Sequence, residues 1–228
     1  MGILVPLHRE AEKTTMGTSA EASLSRVERR KARTNRRLLE VARQLFSEKG
    51  IYWAKIEDIT ELADQGKGTF YKYFDSKEAI ICALLKEGLD KLTSKTEQAV
   101  QKVSTGSAIL SAAIETRVDF FLNCPEYLLF FHQVRGLMQL QVGVANDLLA
   151  IYDAHLDRLA ELVKPAMSGD RLGSAQDIAR AMAAYTSGVL TYDVLFEGQE
   201  ATERRRQYFV DVLNRSLQPL LKAGNGSR

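Results

Sequence analysis

The stretch Ile56–Phe74, IEDITELADQGKGTFYKYF, constrains this chain more than any other part of it. Its apolar positions predict two short helices, over residues 56–63 and 67–74, with Asp64, Gln65 and Gly66 in the turn between them. An isolated helix shorter than about 12–15 residues is marginal in water, because nucleation outweighs the few hydrogen bonds it gains. Both helices therefore need a support. The preceding segment, 34–49, supplies one: Leu38, Leu39, Ala42, Leu45 and Phe46 form an apolar stripe, and Gly50 stops the helix. Ile56, Ile59 and Leu62 are predicted to face that stripe from one side, Phe70 and Phe74 from the other. Three helices with a tight turn between the second and third make a helix-turn-helix. The leftover face of the third carries Lys67, Thr69, Tyr71, Lys72 and Tyr73, which can donate to phosphates and base edges. Gly66 and Gly68 would let the backbone come close to a sugar-phosphate strand.

Charge agrees with this. The whole chain is only +2, but residues 26–80 carry a net +4 and the segments on either side are each −1. The run Arg26, Arg29, Arg30, Lys31, Arg33, Arg36, Arg37 reads equally as a solvated helix start or as an arm that grips phosphate or the minor groove.

The remainder predicts an all-α chain. Asp75 and Ser76 cap a long helix from residue 77, with Glu78 placed to form a capping box with Asp75. Further helices are expected over 107–123, 126–140, 144–163, 174–197 and 202–222. Residues 1–25 are polar and aperiodic and read as disordered, with Met16 an alternative start, and residues 224–228 as a loose tail. The domains are thus expected at 26–75 for the helix-turn-helix and 76–223 for a larger helical domain. No stretch approaches a membrane span. Cys82 and Cys124 lack metal spacing and read as reduced thiols of a cytoplasmic protein. His8, His132 and His155 form no metal set, and the nucleophile-elbow, phosphate-loop and dinucleotide motifs are absent. No enzyme activity, metal or cofactor is expected.

The chain resembles the TetR family of regulators in LLEVARQLFSEKG at 38–50, DIT at 58–60, GKGTFYKYF at 66–74 and SKE at 76–78. The resemblance implies an N-terminal helix-turn-helix, a larger helical domain behind it, and a homodimer on operator DNA. It places Thr69, Tyr71 and Tyr73 at the DNA and Lys77 on a phosphate. Two positions depart from the family pattern. Asp64 and Gln65 stand where a glycine and an aliphatic residue are usual, which frees Gln65 to reach a base edge. Lys55 replaces the usual threonine cap, and could add a phosphate contact.

Residues 116–155 are dense in large side chains, and for most of them core packing is the plain reading. The resemblance implies that some line a cavity for a small hydrophobic effector: Phe120, Phe121, Phe131, Met138, Tyr152, with Tyr185 and Tyr192. His132, Arg135 and His155 would be the polar handles. For the dimer, the helix over 174–197 looks two-faced. Ile178, Met182, Tyr185, Val189, Tyr192 and Phe196 would fill the subunit core, leaving Ala181, Ala184, Gly188 and Thr191 as a small-residue stripe for a second subunit. Phe209, Leu213, Leu217 and Leu220 of the last helix would join it in a four-helix interface. The reading that emerges is a repressor released by its effector. The alternatives are a helical binding protein or enzyme without DNA binding, and a regulator or activator that needs no ligand.

Overall fold

The computed structural model describes residues 25–139, 144–167 and 174–221, without the side chains of Leu220 and Leu221. The expectations for residues 1–24, 140–143, 168–173 and 222–228, and for the Leu220 side chain, lie outside the described residues. The chain divides into two compact units between Arg37 and Leu38.

The first helix, α1 (Arg26–Lys49), begins eight residues before the expected start. Ser25 and Glu28 explain this with a reciprocal box: Ser25 N donates to Glu28 Oε2 at 2.8 Å, and Glu28 N to Ser25 Oγ at 3.2 Å. The bond from Ser25 N, with the Ser25 hydroxyl beside it, holds the exposed Glu28 carboxyl below its ordinary range.

From Leu38 onward, α1 buries Leu38, Val41, Ala42, Leu45 and Phe46, the spacing of one helix face, and Gly50 ends it at φ +84°. Across this stripe lie α2 (Ile56–Leu62) and α3 (Lys67–Phe70). Ile59 and Phe70 are fully buried and Phe74 nearly so, as expected, whereas Leu62 turns outward, 53% exposed. Ala63 lies closer in helical angle to Ile59 and takes the inward position instead. The third helix is also shorter than expected. After Phe70 the hydrogen bonds tighten to the i−3 pattern, Lys72 N to Thr69 O at 3.1 Å and Tyr73 N to Phe70 O at 2.9 Å.

Among the described residues the rest is helical, without strands. The long α4 (Lys77–Val100) is capped by Ser76 Oγ, which accepts from Ala79 N at 3.2 Å; the expected box between Asp75 and Glu78 does not form. Behind it pack α5 (Gly106–Asn123), α6 (Pro125–Gln139) and α7 (Ala145–Val163). Gly88 permits the crossing of α4 and α6, since a Cβ there would come within 2.6–2.8 Å of the Tyr127 and Phe131 rings. A full capping box, Ser174 with Asp177, opens α8 (Ala175–Glu197). The predicted last helix is split by Arg205 into α9 (Gln199–Arg204) and α10 (Arg206–Leu217).

Two expectations about these helices are corrected. Phe209, Leu213 and Leu217 are buried inside the subunit. They share α10 with Arg206, which forks onto Asp119 of α5, and with Asn214, whose Oδ1 accepts from Ser111 Oγ at 2.7 Å. The polar bonds fix the α10 face that points inward, so those apolar residues cannot meet a second subunit. On α8, Ile178, Met182, Leu190 and also Thr191 point inward, while Tyr185, Tyr192 and Phe196 point out. Thr191 is therefore a core residue, and the outward face is more apolar than expected.

Candidate DNA-contacting surface and ligand cavity

The exposed edge of the helix-turn-helix is built around the turn at Asp64. Asp64 holds φ +54°, the left-handed conformation that glycine adopts most easily and that aspartate tolerates. Gln65 Nε2 folds back onto Asp64 O at 2.6 Å. Gly66 and Gly68 have open space where a Cβ would stand, so nothing in the subunit requires glycine there and the approach to this edge stays clear. Lys67 and Lys72 are exposed, and Thr69 is half-buried at the rim. Lys67 Nζ pairs with Glu57 Oε1 at 2.6 Å, an exposed bridge from α3 to α2 that a phosphate can displace. Tyr71 is 53% exposed, its ring set edge-on against Phe70. Tyr73 is half-buried and packs on the core, so the aromatic free to leave the surface is Tyr71.

Lys55 is exposed and its side chain caps nothing; Asp58 supplies the missing half, accepting from Lys55 N at 3.2 Å. Lys77, expected on a phosphate, is engaged within the subunit. Its ammonium donates to the carbonyls of Ile51 at 2.8 Å, Ala54 at 2.9 Å and Tyr52 at 3.3 Å, which engages all three N–H bonds within the subunit. It clamps the α1–α2 loop, whose tip presents Tyr52 and Trp53, a perpendicular ring pair at 5.2 Å with Trp53 73% exposed. Sequence reasoning passed over this pair; the available signal was two large aromatics directly after the helix-ending Gly50. Lys77→Met is expected to lower stability by roughly 2 kcal/mol, the scale of lost hydrogen bonds from a charged donor. It should leave the salt dependence of DNA binding unchanged. Denaturant melts and a salt titration of operator affinity measure both, and a flattened salt slope would return Lys77 to a phosphate.

The helix-turn-helix is tied to the helices behind it through α6. Gln133 Nε2 donates to Phe46 O at the end of α1 (3.0 Å), and its Oε1 accepts from Ile51 N (2.6 Å). Phe130 stacks on Phe46 at 6.0 Å, and Glu126 pairs with Arg43 at 3.1 Å. The opposite face of α6 looks into a partly open cavity of about 240 Å³ lined by α4, α5, α6, α7 and α8. Of the expected lining residues, Phe121, Phe131, Arg135, Tyr152 and His155 reach it. Phe120 packs instead on Tyr127 at 5.6 Å, and Met138 sits against the core. His132 faces solvent, as do Tyr185 and Tyr192. His132 and Tyr185 fail because each lies on the outward side of its helix, a phase that a run of aromatics on both faces conceals.

Two charged cavity residues were not anticipated, Arg117 of α5 and Arg180 of α8. The signal for Arg117 was a lone cation in a helix whose other inward positions are apolar. His155 Nδ1 lies 2.8 Å from Thr93 Oγ1 and its Nε2 3.3 Å from Arg117. A guanidinium can only donate, so Nε2 accepts and Nδ1 carries the proton toward Thr93. Burial, aided by Arg117, holds the His155 pKa down at about 3, so the ring is neutral.

The family described as bacterial regulatory proteins, tetR family, matches residues 38–84, the helix-turn-helix and the start of α4. The chain is similar to the HTH-type transcriptional repressor KstR2 of Rhodococcus jostii, 33% identical over 36% of this chain and 40% of the relative. That match spans less than half of the relative's length. It is similar to the HTH-type transcriptional activator FasR of Mycolicibacterium smegmatis, 30% identical over 64% of this chain and 73% of the relative. In fold it is similar to the transcriptional regulator FadR of Bacillus subtilis, solved with stearoyl-CoA. There the TM-score is 0.66 at 15% identity, covering 78% of this chain and 96% of that one.

Proposed function

The chain belongs to the tetR family of bacterial regulatory proteins, a family of transcriptional regulators, and we propose that it is a repressor that binds operator DNA as a homodimer and lets go when a small lipophilic effector fills the cavity. The observation that carries this reading is the two-faced α6, with Phe131 and Arg135 in the cavity and Phe130 and Gln133 on α1. A ligand that shifts α6, or tilts α4 through Leu89, displaces the helix-turn-helix in both subunits together. A palindromic site fits one spacing of recognition elements, so a small shift weakens both half-sites.

Residues 26–75 contact DNA in this scheme, through Lys55, Gln65–Thr69, Tyr71 and Lys72, and residues 76–223 sense and dimerise. The protein works in the cytoplasm, without catalysis. The described helices include none long and apolar enough to cross a membrane. The stearoyl-CoA held by the Bacillus subtilis structure supports fatty-acyl compounds as the effector class. The activator FasR supports a second reading, in which the ligand-bound form activates.

The test is selection of bound DNA followed by titration of operator affinity with acyl compounds. Wild-type affinity is expected to fall 10- to 100-fold at saturation, the usual scale of allosteric coupling. Gln133→Leu is expected to bind the effector as before and respond several-fold less, because the link from α6 to α1 is cut. An unchanged response in Gln133→Leu would route the coupling elsewhere; no response in wild type to any acyl compound would refute effector release.

A further inference from the structure

Arg117 is buried in a setting that offers it no counter-charge. Only 3% of the residue is exposed. One guanidinium nitrogen reaches His155 Nε2 at 3.3 Å, the Phe121 ring lies 5.9 Å away, and Nε has no partner. No ion pair to Arg117 exists among the described residues. Nearby groups do not neutralise it. His155 is neutral, and Tyr152, whose pKa burial pushes up to about 12, keeps its phenolic proton. The cavity that Arg117 borders adds two further cations, Arg135 and Arg180, and no carboxylate. Arg135 gives one N–H to Ser187 Oγ at 2.8 Å, which fixes its guanidinium beside the cavity. Apart from the neutral Tyr152, His155 and Ser187, the rest of the wall is apolar, chiefly Leu89, Phe121, Phe131 and Leu156.

A buried unpaired charge is strongly unfavourable, and proteins ordinarily pair it or replace it. We propose that the missing counter-ion is the ligand's own: the cavity takes an apolar molecule ending in a free carboxylate, seated on Arg117 and Arg135 with its body against the aromatic wall. Guanidinium is suited to this, since its planar N–H fork matches a carboxylate in bidentate geometry. The assignment rests on the cavity being the effector site. It narrows that reading from acyl compounds in general to free acids, as against thioesters or other uncharged ends.

The experiment compares decanoate, methyl decanoate, decanol and decanoyl-CoA by calorimetric titration of the full-length protein. It adds thermal melts of the wild type, Arg117→Met and Arg135→Gln. Decanoate is expected to bind at least tenfold more tightly than the ester and the alcohol. Arg117→Met should erase that preference while raising the melting temperature of the ligand-free protein, because it removes an unpaired buried charge. A purely structural arginine would lower the melting temperature. Arg135→Gln, at a half-buried position, should reduce the preference without unfolding the chain. Equal binding of acid and ester would overturn the carboxylate seat and leave the cavity standing as an effector site. So would an acid preference that survives Arg117→Met, or decanoyl-CoA binding as tightly as decanoate and indifferent to Arg117. If none of the four binds, the effector-site reading falls, and the carboxylate seat with it.

Discussion

Tyr71→Ala is expected to leave the fold intact and to remove operator binding. Just over half of Tyr71 is open to solvent, and its contact with the subunit is an edge-on approach to Phe70 at 5.5 Å. Truncating such a residue changes stability by about 0.5 kcal/mol or little more. Its neighbours on α3 stay in place because Phe70 and Phe74, both buried, anchor the element from below. The effect on DNA is far larger. One well-made base contact discriminates by about 1–3 kcal/mol, and a two-fold operator uses the residue twice. The combined loss is then roughly 2–6 kcal/mol, or about thirtyfold to twenty-thousandfold in affinity. Anisotropy titration on the selected operator and a circular dichroism melt decide the matter together. A variant that binds as wild type does would show that Tyr71 does not read DNA, and one that melts far below it would show that Tyr71 is a core residue.

Gly188→Arg is expected to yield a folded subunit that no longer dimerises. A Cβ at Gly188 meets nothing within 4 Å, so the subunit itself accommodates a larger side chain. Around Gly188, α8 exposes Ala184, Tyr185, Tyr192, Leu195 and Phe196, with Phe196 77% and Tyr192 66% exposed and the two rings stacked at 6.0 Å. A contiguous apolar face of this kind, with small residues at its centre, suits close approach of a second helix backbone. The expected interface keeps Ala181, Ala184 and Gly188, and the large aromatics join them where Thr191, Phe209, Leu213 and Leu217 drop out. An arginine at Gly188 would hold the backbones apart and bury a charge without a partner. Sedimentation should then show monomers, and operator affinity should fall by orders of magnitude, since one half-site alone is held weakly. A Gly188→Arg protein that remains soluble and dimeric would place the interface elsewhere.

The most legible parts of this chain were those governed by neighbours in sequence. The stripe Leu38–Phe46 and its stop at Gly50, the left-handed turn tolerated by Asp64, and the anchors Ile59 and Phe70 all follow from helical spacing and backbone conformation. Even the early start of α1 was written locally, in Ser25 and Glu28, though the polar composition of that stretch obscured it. Phe121, Phe131, Arg135, Tyr152 and His155, the expected pocket residues that line the cavity, sit on the consecutive helices α5, α6 and α7.

Other features depend on partners far along the chain. Lys77 reaches carbonyls more than twenty residues earlier, and Gln133 ties α6 to the end of α1 across more than eighty. No local pattern distinguishes such a lysine from one that waits for phosphate. Arg117 stands out in the sequence only as a lone cation on α5; that it goes without a counter-charge emerges only where α7 offers it a neutral histidine and no carboxylate. The phase of α8 was misread for a related reason: both of its faces are apolar, one for the core and one left uncovered, so periodicity alone cannot rank them. What the sequence determined by itself was where helices begin, end and turn, because those choices are settled within a few residues of backbone. Which face of each helix is buried, which charge goes unpaired and which lysine is already engaged were decided only by tertiary packing, where distant segments compete for the same surface.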